Sequence, residues 1–160
     1  MPTVLDPVLR AGGGAELAAQ PVAVAMLEQL APLCTVITPN AAEARLLSGE
    51  DRLDAAAAAL GARGIAHVLV TGGDERDDAE STDWHWHDGT LRPIRRTRIA
   101  QDYHGAGCTL ASTIAALLAR GDAPAAAIDG ATARVHAWLQ RPKVIGRGRP
   151  SPARDCGETP

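Results

Sequence analysis

Aromatic residues are nearly absent from this sequence, which contains no phenylalanine, one tyrosine and three tryptophans. Hydrophobic residues nevertheless make up 46% of its 160 positions. The chain is therefore long enough to bury one core, and a single domain is the default expectation for this size. Because so few rings are present, we expect the core to consist of alanine, leucine, valine and isoleucine.

Cysteine is also scarce. The three cysteines, Cys34, Cys108 and Cys156, are odd in number and far apart in the sequence. This pattern argues against a disulfide framework and against a paired-cysteine zinc site, both of which need cysteines in regular pairs. We expect all three thiols to be reduced.

Long apolar runs, a signal peptide and a strong net charge are missing as well. No run is long enough to cross a bilayer, and residues 1–10 lack the basic start and hydrophobic stretch of a signal peptide. The formal net charge of −3 gives no overall attraction to nucleic acid or to an anionic membrane. We therefore expect a cytoplasmic protein that binds neither nucleic acid nor membrane.

What the sequence does contain is an alternation of short β-branched runs with longer Ala/Leu-rich stretches, which is typical of an α/β fold. The pattern predicts strands at 3–5, 35–38 and 67–71, and helices at 16–30, 41–47, 51–63, 110–119 and 125–139. Pro21 is expected to mark an irregular start or a kink, and Gly64 to end a helix. Asp88-Gly89 predicts a tight turn between antiparallel strands at 84–87 and 91–99.

Two regions are expected to lie outside regular structure. The acidic segment 74–83 is predicted to be a solvated loop. From Arg141 onward proline, glycine and arginine dominate, so we divide the chain into a domain at 1–141 and a partly disordered tail at 142–160. The tail arginines, Arg147, Arg149 and Arg154, would touch phosphate only if the tail folded back, which we do not expect.

Two polar clusters in the predicted hairpin are assigned structural or solvent roles. His85 and His87 share one face of a strand, but no third metal ligand is evident at a matching spacing. Four arginines alternate on the second strand and have acidic residues nearby, so a solvated face is expected there; they are Arg92, Arg95, Arg96 and Arg98.

The segment His104-Gly105-Ala106-Gly107-Cys108-Thr109 stands directly before an apolar predicted helix. The first N–H groups of a helix lack internal partners, and the helix dipole adds positive charge there, so phosphate binds well at such a position. Glycine lets a ligand approach without meeting a Cβ. An ordinary loop that enters a helix remains the alternative. A helix amino terminus also favours the thiolate, which would allow Cys108 to accept a proton. A buried inert cysteine is the alternative interpretation of Cys108.

Polar residues also follow the first two predicted strands, at the edge where open α/β sheets place ligands. Asp6 follows the first strand and is either a magnesium ligand, directly or through water, or a turn initiator before Pro7. Asn40 and Glu43 follow the second strand, three positions apart at a helix start. Glu43 contributes to the same metal site, to a capping box, or to both.

The third predicted strand is followed by Thr71-Gly72-Gly73. A backbone with two glycines can lie against phosphate while the Thr71 hydroxyl donates a hydrogen bond. A plain turn at the end of a strand is the alternative.

Four motifs occur in a fixed order: Val4-Leu5-Asp6-Pro7-Val8, Val36-Ile37-Thr38-Pro39-Asn40 with Glu43, Val68-Leu69-Val70-Thr71-Gly72-Gly73, and His104-Gly105-Ala106-Gly107-Cys108-Thr109. As an ordered set they resemble the hydroxymethylpyrimidine/phosphomethylpyrimidine kinases of thiamine biosynthesis, in the ribokinase-like superfamily. The resemblance runs from about Thr3 to about Pro150. It implies a ribokinase-like three-layer α/β/α sandwich, of which this chain carries the carboxy-terminal portion, with a mostly parallel sheet and an antiparallel hairpin.

The resemblance also implies ATP and Mg²⁺ as cofactors. The implied site residues are Asp6, Asn40 and Glu43 for magnesium, Thr71, Gly73 and Thr109 for the nucleotide, and Gly105, Ala106, Gly107 and Cys108 for catalysis. The backbone N–H groups of these last four residues would form an anion hole, and the Cys108 thiol would act as the base, where the wider superfamily usually has aspartate. The resembling family often has lysine at the position of Thr71, so a charge contact is expected to be absent here.

The implied reaction is ATP-dependent phosphorylation of 4-amino-5-hydroxymethyl-2-methylpyrimidine and of its monophosphate. Members of the resembling family begin with a further segment before the Asp-Pro-Val strand, and that segment carries much of the pyrimidine pocket. We therefore expect an incomplete acceptor pocket and an exposed sheet edge, which favours a homo-oligomer or a covering partner. The alternatives are a non-catalytic nucleotide-binding remnant and a related pyridoxal kinase.

Overall fold

The computed structural model describes residues 1–9, 20–75 and 79–154. The chain divides into two compact units, Met1–Arg98 and Ile99–Pro160. The predicted domain boundary at residue 141 stays a prediction.

The first unit is built on a five-stranded mixed sheet with the order β1-β2-β3-β4-β5. Strands β1 (Val4–Leu5), β2 (Val36–Ile37) and β3 (His67–Val70) run parallel. Strands β4 (Glu80–His87) and β5 (Thr90–Thr97) form an antiparallel hairpin that continues the sheet from β3. All four residues of β3 are buried, as expected for a central strand that is covered on both faces. The predicted α/β fold with a parallel part and an antiparallel hairpin is confirmed.

Helices connect the parallel strands. Helix α1 (Gln20–Ala25) continues into a π-helical turn at Met26–Leu30 and a 3₁₀ turn at Ala31–Leu33, and α2 (Ala41–Ser48) and α3 (Leu53–Gly61) join β2 to β3. The predicted helix at 16–30 is therefore present from Gln20 to Leu30, with a π-helical last turn, and its residues 16–19 lie outside the described residues. Gly64 has a φ of +87°, the left-handed conformation expected of a residue that terminates a helix.

The core of this unit is aliphatic, as the composition predicts. One face of the sheet contributes Ile37, Val68 and Val70, which are no more than 1% exposed. The helices contribute small and branched side chains; they include Ala44, Leu47, Ala56, Ala57 and Leu60. Trp84 and Trp86 of β4 pack partly buried against this cluster.

Strand β4 begins earlier than the sequence pattern predicts. Residues 80–83 were assigned to a solvated loop, but they pair in register with β5, with Ser81 opposite Arg96 and Thr82 opposite Arg95. The prediction failed because these side chains are polar, whereas the stabilising interactions are backbone pairs and cross-strand contacts that hydrophobicity does not report. Residues 76–78 of the same segment lie outside the described residues.

The second unit contains helices α4 (Ala106–Ala119) and α5 (Pro124–Leu139), which pack against each other. Helix α4 begins four residues before the predicted start at Leu110, because Gly105 adopts a φ of +77° and serves as its N-cap. Pro124 occupies the first turn of α5, where its missing N–H has no cost.

Residues 142–154 of the predicted tail make defined contacts, and the prediction that the tail is partly disordered stays a prediction. Lys143 and Ser151 form a β-bridge, and the N–H of Ala153 donates to the carbonyl of Trp138 at 3.2 Å. Ala153 is only 5% exposed, so this stretch folds onto the second unit. Proline and glycine limit regular helices and strands, but they do not prevent an irregular segment from packing. Residues 155–160, including Cys156, lie outside the described residues.

Among the described residues, no helix is both long enough and apolar enough to span a membrane.

Close packing of α3 on β4 gives a stability prediction. A Cβ added at Gly61 would overlap the ring of Trp86, whereas one added at Gly130 of α5 would lie 3.3 Å from the flexible end of Leu117. We expect Gly61→Ala to lower the free energy of unfolding by roughly 1–3 kcal/mol through overpacking. The matched helical variant Gly130→Ala should change it by less than about 1 kcal/mol. Chemical denaturation measures both, and equal effects would contradict the close contact at Trp86.

Candidate active site

Asn40 and Glu43 form a reciprocal capping box at the start of α2. The Asn40 side-chain oxygen accepts from the Glu43 N–H at 3.0 Å, and Glu43 Oε2 accepts from the Asn40 N–H at 2.9 Å. Asn40 follows β2 and therefore lies at the carboxyl end of the parallel strands. The capping interpretation of Glu43 is confirmed, and it accounts for why these two residue types occur three positions apart.

Glu43 has a second partner outside the helix. Its Oε1 accepts from the N–H of Leu9 at 3.3 Å, so the carboxylate joins the segment after β1 to the start of α2. The side chain is only 6% exposed. Burial raises the pKa of Glu43, the two backbone donors lower it, and the negative charges of Asp6 and Asp74 raise it further.

Acidic residues therefore gather at the ends of three successive strands. Asp6 follows β1, Glu43 stands in the first turn after β2, and Asp74 lies shortly after β3. Their mutual repulsion is relieved by a cation, and carboxylate and amide oxygens are the ligands that Mg²⁺ prefers. Among the described residues, no group of three or more His, Cys, Asp or Glu side chains is arranged to hold a metal directly. Because Mg²⁺ usually retains several waters, these residues would have to reach such an ion through its waters.

The turn-initiating role of Asp6 is present as well. Its carbonyl accepts from the N–H of Val8 at 2.9 Å, which closes a tight turn around Pro7. This bond uses the backbone of Asp6 alone. Both interpretations of Asp6 therefore remain compatible.

The segment Thr71–Gly73 is fixed by its neighbours on several sides. The Thr71 N–H donates to the carbonyl of Pro39 at 3.0 Å, and Thr71 bridges to Asn40. The Gly72 N–H donates to Asp83 Oδ1 of β4 at 2.9 Å. Gly73 is exposed. The segment is thus anchored beside the capping box, with its second glycine presented to solvent.

Arginines hold the residues around this segment. Arg98 Nη1 donates to the carbonyl of Gly73 at 3.1 Å. Arg45 of α2 makes a bidentate pair with Glu75 at 2.9 and 2.7 Å, and this hydrogen bond lowers the pKa of the Glu75 carboxyl. Because both side chains of that pair are more than a third exposed, its contribution to stability is at most about 1 kcal/mol. Arg98, one of the four arginines predicted to form a solvated face, therefore has a structural partner.

The glycine-rich motif forms the amino terminus of α4. The first helical hydrogen bond runs from the Thr109 N–H to the Gly105 carbonyl at 3.0 Å, so the N–H groups of Ala106, Gly107 and Cys108 precede the bonded turns. Gly107 is exposed, and so is the thiol-bearing Cys108. The alternative that Cys108 is a buried inert cysteine is excluded. A helix start of this kind is suited to an anion, and the exposed Cys108 lies in its first turn.

Thr109 and Cys34 have structural partners instead. The Thr109 side chain is 6% exposed and its hydroxyl donates to the Gly105 carbonyl at 2.6 Å, which reinforces the helix start. Its predicted nucleotide contact stays a prediction. The Cys34 thiol is buried and donates to the carbonyl of Leu30 at 3.2 Å, and burial raises its pKa.

Contrary to expectation, the tail folds back to the glycine-rich motif. The His104 N–H donates to the carbonyl of Pro150 at 2.9 Å. A Cβ built at Gly105 would lie 3.0 Å from Nη2 of Arg154. A guanidinium therefore stands beside the amino terminus of α4, and its charge adds to the positive end of the helix dipole. The contact joins residues 49 positions apart, so local sequence gave no signal for it.

The two predicted strand histidines pack with a third. His67 of β3 stacks on His87 with ring centroids 3.8 Å apart, and its Nδ1 lies 3.1 Å from Nε2 of His85. Arg92 Nη2 lies 3.3 Å from Nδ1 of His85, and guanidinium groups only donate, so His85 carries its proton on Nε2 and donates to His67. Burial lowers the pKa of His67 to about 4, with a further effect from His87. These contacts support a structural role.

Two residues of the first unit were missed by the sequence analysis. Asp74 and Asp83 both fell within a segment assigned to solvated loop. Asp74 had one usable signal, because it directly follows Thr71-Gly72-Gly73 after a strand, as Asp6 follows β1. Asp83 had none, since its contact with Gly72 depends on the pairing of β4 with β3.

Comparison with solved structures defines the class of protein. An ADP complex of Bacillus subtilis pyridoxal kinase matches with a TM-score of 0.83 and 34% identity, covering 93% of this chain and 58% of that one. Staphylococcus aureus pyridoxal kinase in complex with AMP-PCP matches with a TM-score of 0.83 and 30% identity, covering 94% and 57%. The fold is therefore the ribokinase-like α/β fold of small-molecule kinases.

The particular family follows from the sequence comparisons. A family model described as phosphomethylpyrimidine kinase matches residues 1–152, and the chain belongs to this family. The hydroxymethylpyrimidine/phosphomethylpyrimidine kinase of Synechococcus elongatus is 40% identical over 156 residues, covering 93% of this chain and 59% of the relative. The pyridoxine kinase of Bacillus subtilis is 39% identical over 125 residues, covering 74% and 46%. The chain thus spans about half the length of these relatives.

The histidine cluster gives a prediction of pH dependence. Because the folded-state pKa of His67 is about 4 and the ordinary value is 6.5, the unfolded chain binds more protons between these pH values. The free energy of unfolding should therefore be fully retained above pH 6.5 and fall by roughly 1–3 kcal/mol as the pH is lowered to 4.

Denaturant titrations of the wild type and of His67→Gln across this window measure the effect. The variant should show a shallower decrease with falling pH, since its side chain does not titrate. Equal slopes for the two proteins would contradict a neutral, hydrogen-bonded His67.

Proposed function

We propose that this chain binds ATP and transfers its γ-phosphoryl group to hydroxymethylpyrimidine and to the monophosphate of that pyrimidine. The observation that carries the proposal is the amino terminus of α4, where Gly105 is the N-cap and Ala106, Gly107 and Cys108 form the first turn. Membership of the phosphomethylpyrimidine kinase family supports this choice of reaction. Relatives named for pyridoxine also match, so pyridoxal is the second candidate acceptor.

The amino terminus of α4 serves as the anion hole. Phosphoryl transfer spreads negative charge over the three equatorial oxygens of the transferred group, and catalysis consists largely of positioning and charge stabilisation. Backbone N–H groups at a helix start are fixed before the reaction, so they stabilise that charge without reorganisation. Arg154 beside Gly105 adds positive charge at the same end of the helix.

Cys108 serves as the base. As the acceptor hydroxyl attacks the γ-phosphorus, its O–H proton passes to the thiolate sulfur while the bond from phosphorus to the ADP oxygen breaks. The thiol is exposed in the first turn of α4. A base must lie within reach of the attacking hydroxyl, and a phosphate bound at the helix start would bring that hydroxyl to this turn.

The strand-end residues of the first unit hold the metal and the nucleotide. Asp6, Asn40 and Glu43 bind Mg²⁺ largely through its waters, because Glu43 already accepts two backbone N–H groups. The ion supplies charge neutralisation for the triphosphate. Thr71 and Gly73 bind phosphate oxygens through the hydroxyl and the exposed backbone, without the positive charge that a lysine would add.

The role of Cys108 is tested by turnover. We expect Cys108→Ala to lower kcat by about 100-fold or more, since general base catalysis contributes on this order, and to change the dissociation constant for nucleotide less than about threefold. Cys108→Asp keeps a proton acceptor and should retain more turnover than the alanine variant. ADP release with Mg-ATP and hydroxymethylpyrimidine is the measurement.

Three other outcomes of this assay would revise the proposal. Undiminished turnover in Cys108→Ala would remove the base. Nucleotide binding without a phosphorylated product in the wild type would favour a non-catalytic remnant. Preferential turnover of pyridoxal would favour the second acceptor.

The metal assignment is tested by the dependence of activity on magnesium. Asp6→Asn removes a negative charge near Glu43 and should raise the Mg²⁺ concentration for half-maximal activity by about tenfold or more. Glu28→Gln is the matched control, because Glu28 is an exposed carboxylate of the same unit that lies in the π-helical turn before β2. An equal shift in both variants would point to overall charge and not to a site at Asp6.

A further inference from the structure

We propose that the carboxylate of Asp83 is a positioning residue which holds Thr71–Gly73 in the conformation that the nucleotide uses. The proposal rests on the function proposed above and adds a residue outside the four motifs. Asp83 reaches the segment directly, since its Oδ1 accepts from the Gly72 N–H at 2.9 Å.

The end of a strand ladder creates the need for this side chain. Pairing between β3 and β4 runs from His67 opposite His87 to Val70 opposite Trp84 and stops there. Beyond Val70 the pairing with β4 has ended, although Thr71 still bridges to Asn40 on the other side, so the β4 backbone no longer supplies an acceptor in register for the Gly72 N–H. Asp83, next to Trp84, offers a side-chain oxygen to Gly72 in place of a backbone carbonyl.

The backbone of β4 also lies directly against Gly72. A Cβ added at this glycine would overlap the carbonyl oxygen of Thr82, so any larger residue would force the segment away from β4. The Gly72 N–H would then move away from Asp83. Glycine at position 72 therefore lets the backbone approach β4 closely, and this close approach permits the hydrogen bond from Gly72 to Asp83.

The remaining contacts leave the middle of the segment dependent on Asp83. Thr71 is held through its N–H by Pro39, and Gly73 is held through its carbonyl by Arg98. The Gly72 carbonyl accepts from the Glu75 N–H at 3.2 Å, which is a bond within the same turn. For the Gly72 N–H, the contact outside the turn is the one to Asp83, so this contact determines how closely the segment lies on β4.

Keeping a carboxylate at this place has an energetic cost. Burial raises the pKa of Asp83, while the Gly72 N–H and the positive charge of Arg96 lower it. A strand position that needed packing alone would be filled more favourably by an apolar side chain. The cost is explained if the carboxylate is needed for its bond to the glycine-rich segment.

The experiment compares the wild type with Asp83→Ala, Asp83→Asn and Glu80→Ala. The asparagine variant keeps an oxygen acceptor. Glu80 is an exposed carboxylate on the same strand, which makes its removal a matched control. Two quantities are measured for each protein: the exchange rate of the Gly72 amide proton by NMR, and the dissociation constant for AMP-PCP with Mg²⁺.

We expect Asp83→Ala to accelerate exchange of the Gly72 amide and to weaken nucleotide binding, each by about tenfold, as for loss of a hydrogen bond to a charged group. Asp83→Asn should recover most of both effects, and Glu80→Ala should change neither. A folded Asp83→Ala protein with unchanged exchange at Gly72, or with unchanged nucleotide affinity, would overturn the proposal.

Two further results separate this proposal from the function on which it rests. If the wild type binds no AMP-PCP, the proposed function fails for this chain, and so does the nucleotide role of Thr71–Gly73. The exchange rate of the Gly72 amide proton still shows in that case whether Asp83 holds the segment. If Asp83→Ala does not fold, the wild-type Gly72 amide resonance is followed against pH. The hydrogen bond is supported if the Gly72 resonance of the wild type shifts with the titration of a carboxyl group and that of Asp83→Asn does not. A wild-type resonance that shows no such shift contradicts the hydrogen bond.

Discussion

The buried carboxylate of Glu43 accepts hydrogen bonds from two backbone N–H groups, and the rest of the first unit depends on this interaction. One oxygen accepts from Asn40 at the start of α2, and the other accepts from Leu9 after β1. A single side chain therefore fixes both the entry of a helix and the loop that follows the edge strand. Without it, the buried N–H of Leu9 would lack an acceptor, at a cost of about 1–3 kcal/mol, and so would the partly buried N–H of Asn40.

The same principle operates at the next strand end. Asp83 accepts from Gly72 where the β3–β4 ladder stops, and Pro39 accepts from Thr71 on the other side of that segment. Parallel strands that end together leave N–H groups unpaired along one edge of the sheet, and carboxylates satisfy them. Carboxylates placed for this structural purpose also create the negative charge that attracts a cation. Structural and proposed functional roles thus coincide at Glu43 because the same oxygens serve both.

Much of the fold was predictable, because strongly periodic apolar segments report burial directly. The strands around Val4, Val36 and Val68 and the helices that begin at Ala41 and Pro124 appear where the pattern indicates. Polar segments were predicted less well. Residues 80–83 are strand because they pair with β5, and α4 begins at Ala106 because Gly105 adopts a positive φ. The predicted site residues fall at strand ends and at a helix start, as their motifs require, whereas Asp83 and Arg154 contact the motifs from distant positions.

The sequence by itself determined the family, the order of the elements and the four motifs, since each depends on residues that are close together along the chain. The tertiary structure decided how the motif residues are held. The bond from Gly72 to Asp83, the bond from Leu9 to Glu43 and the placement of Arg154 beside Gly105 all join distant segments. Local patterns cannot encode such contacts, because they form only when packing brings the segments together.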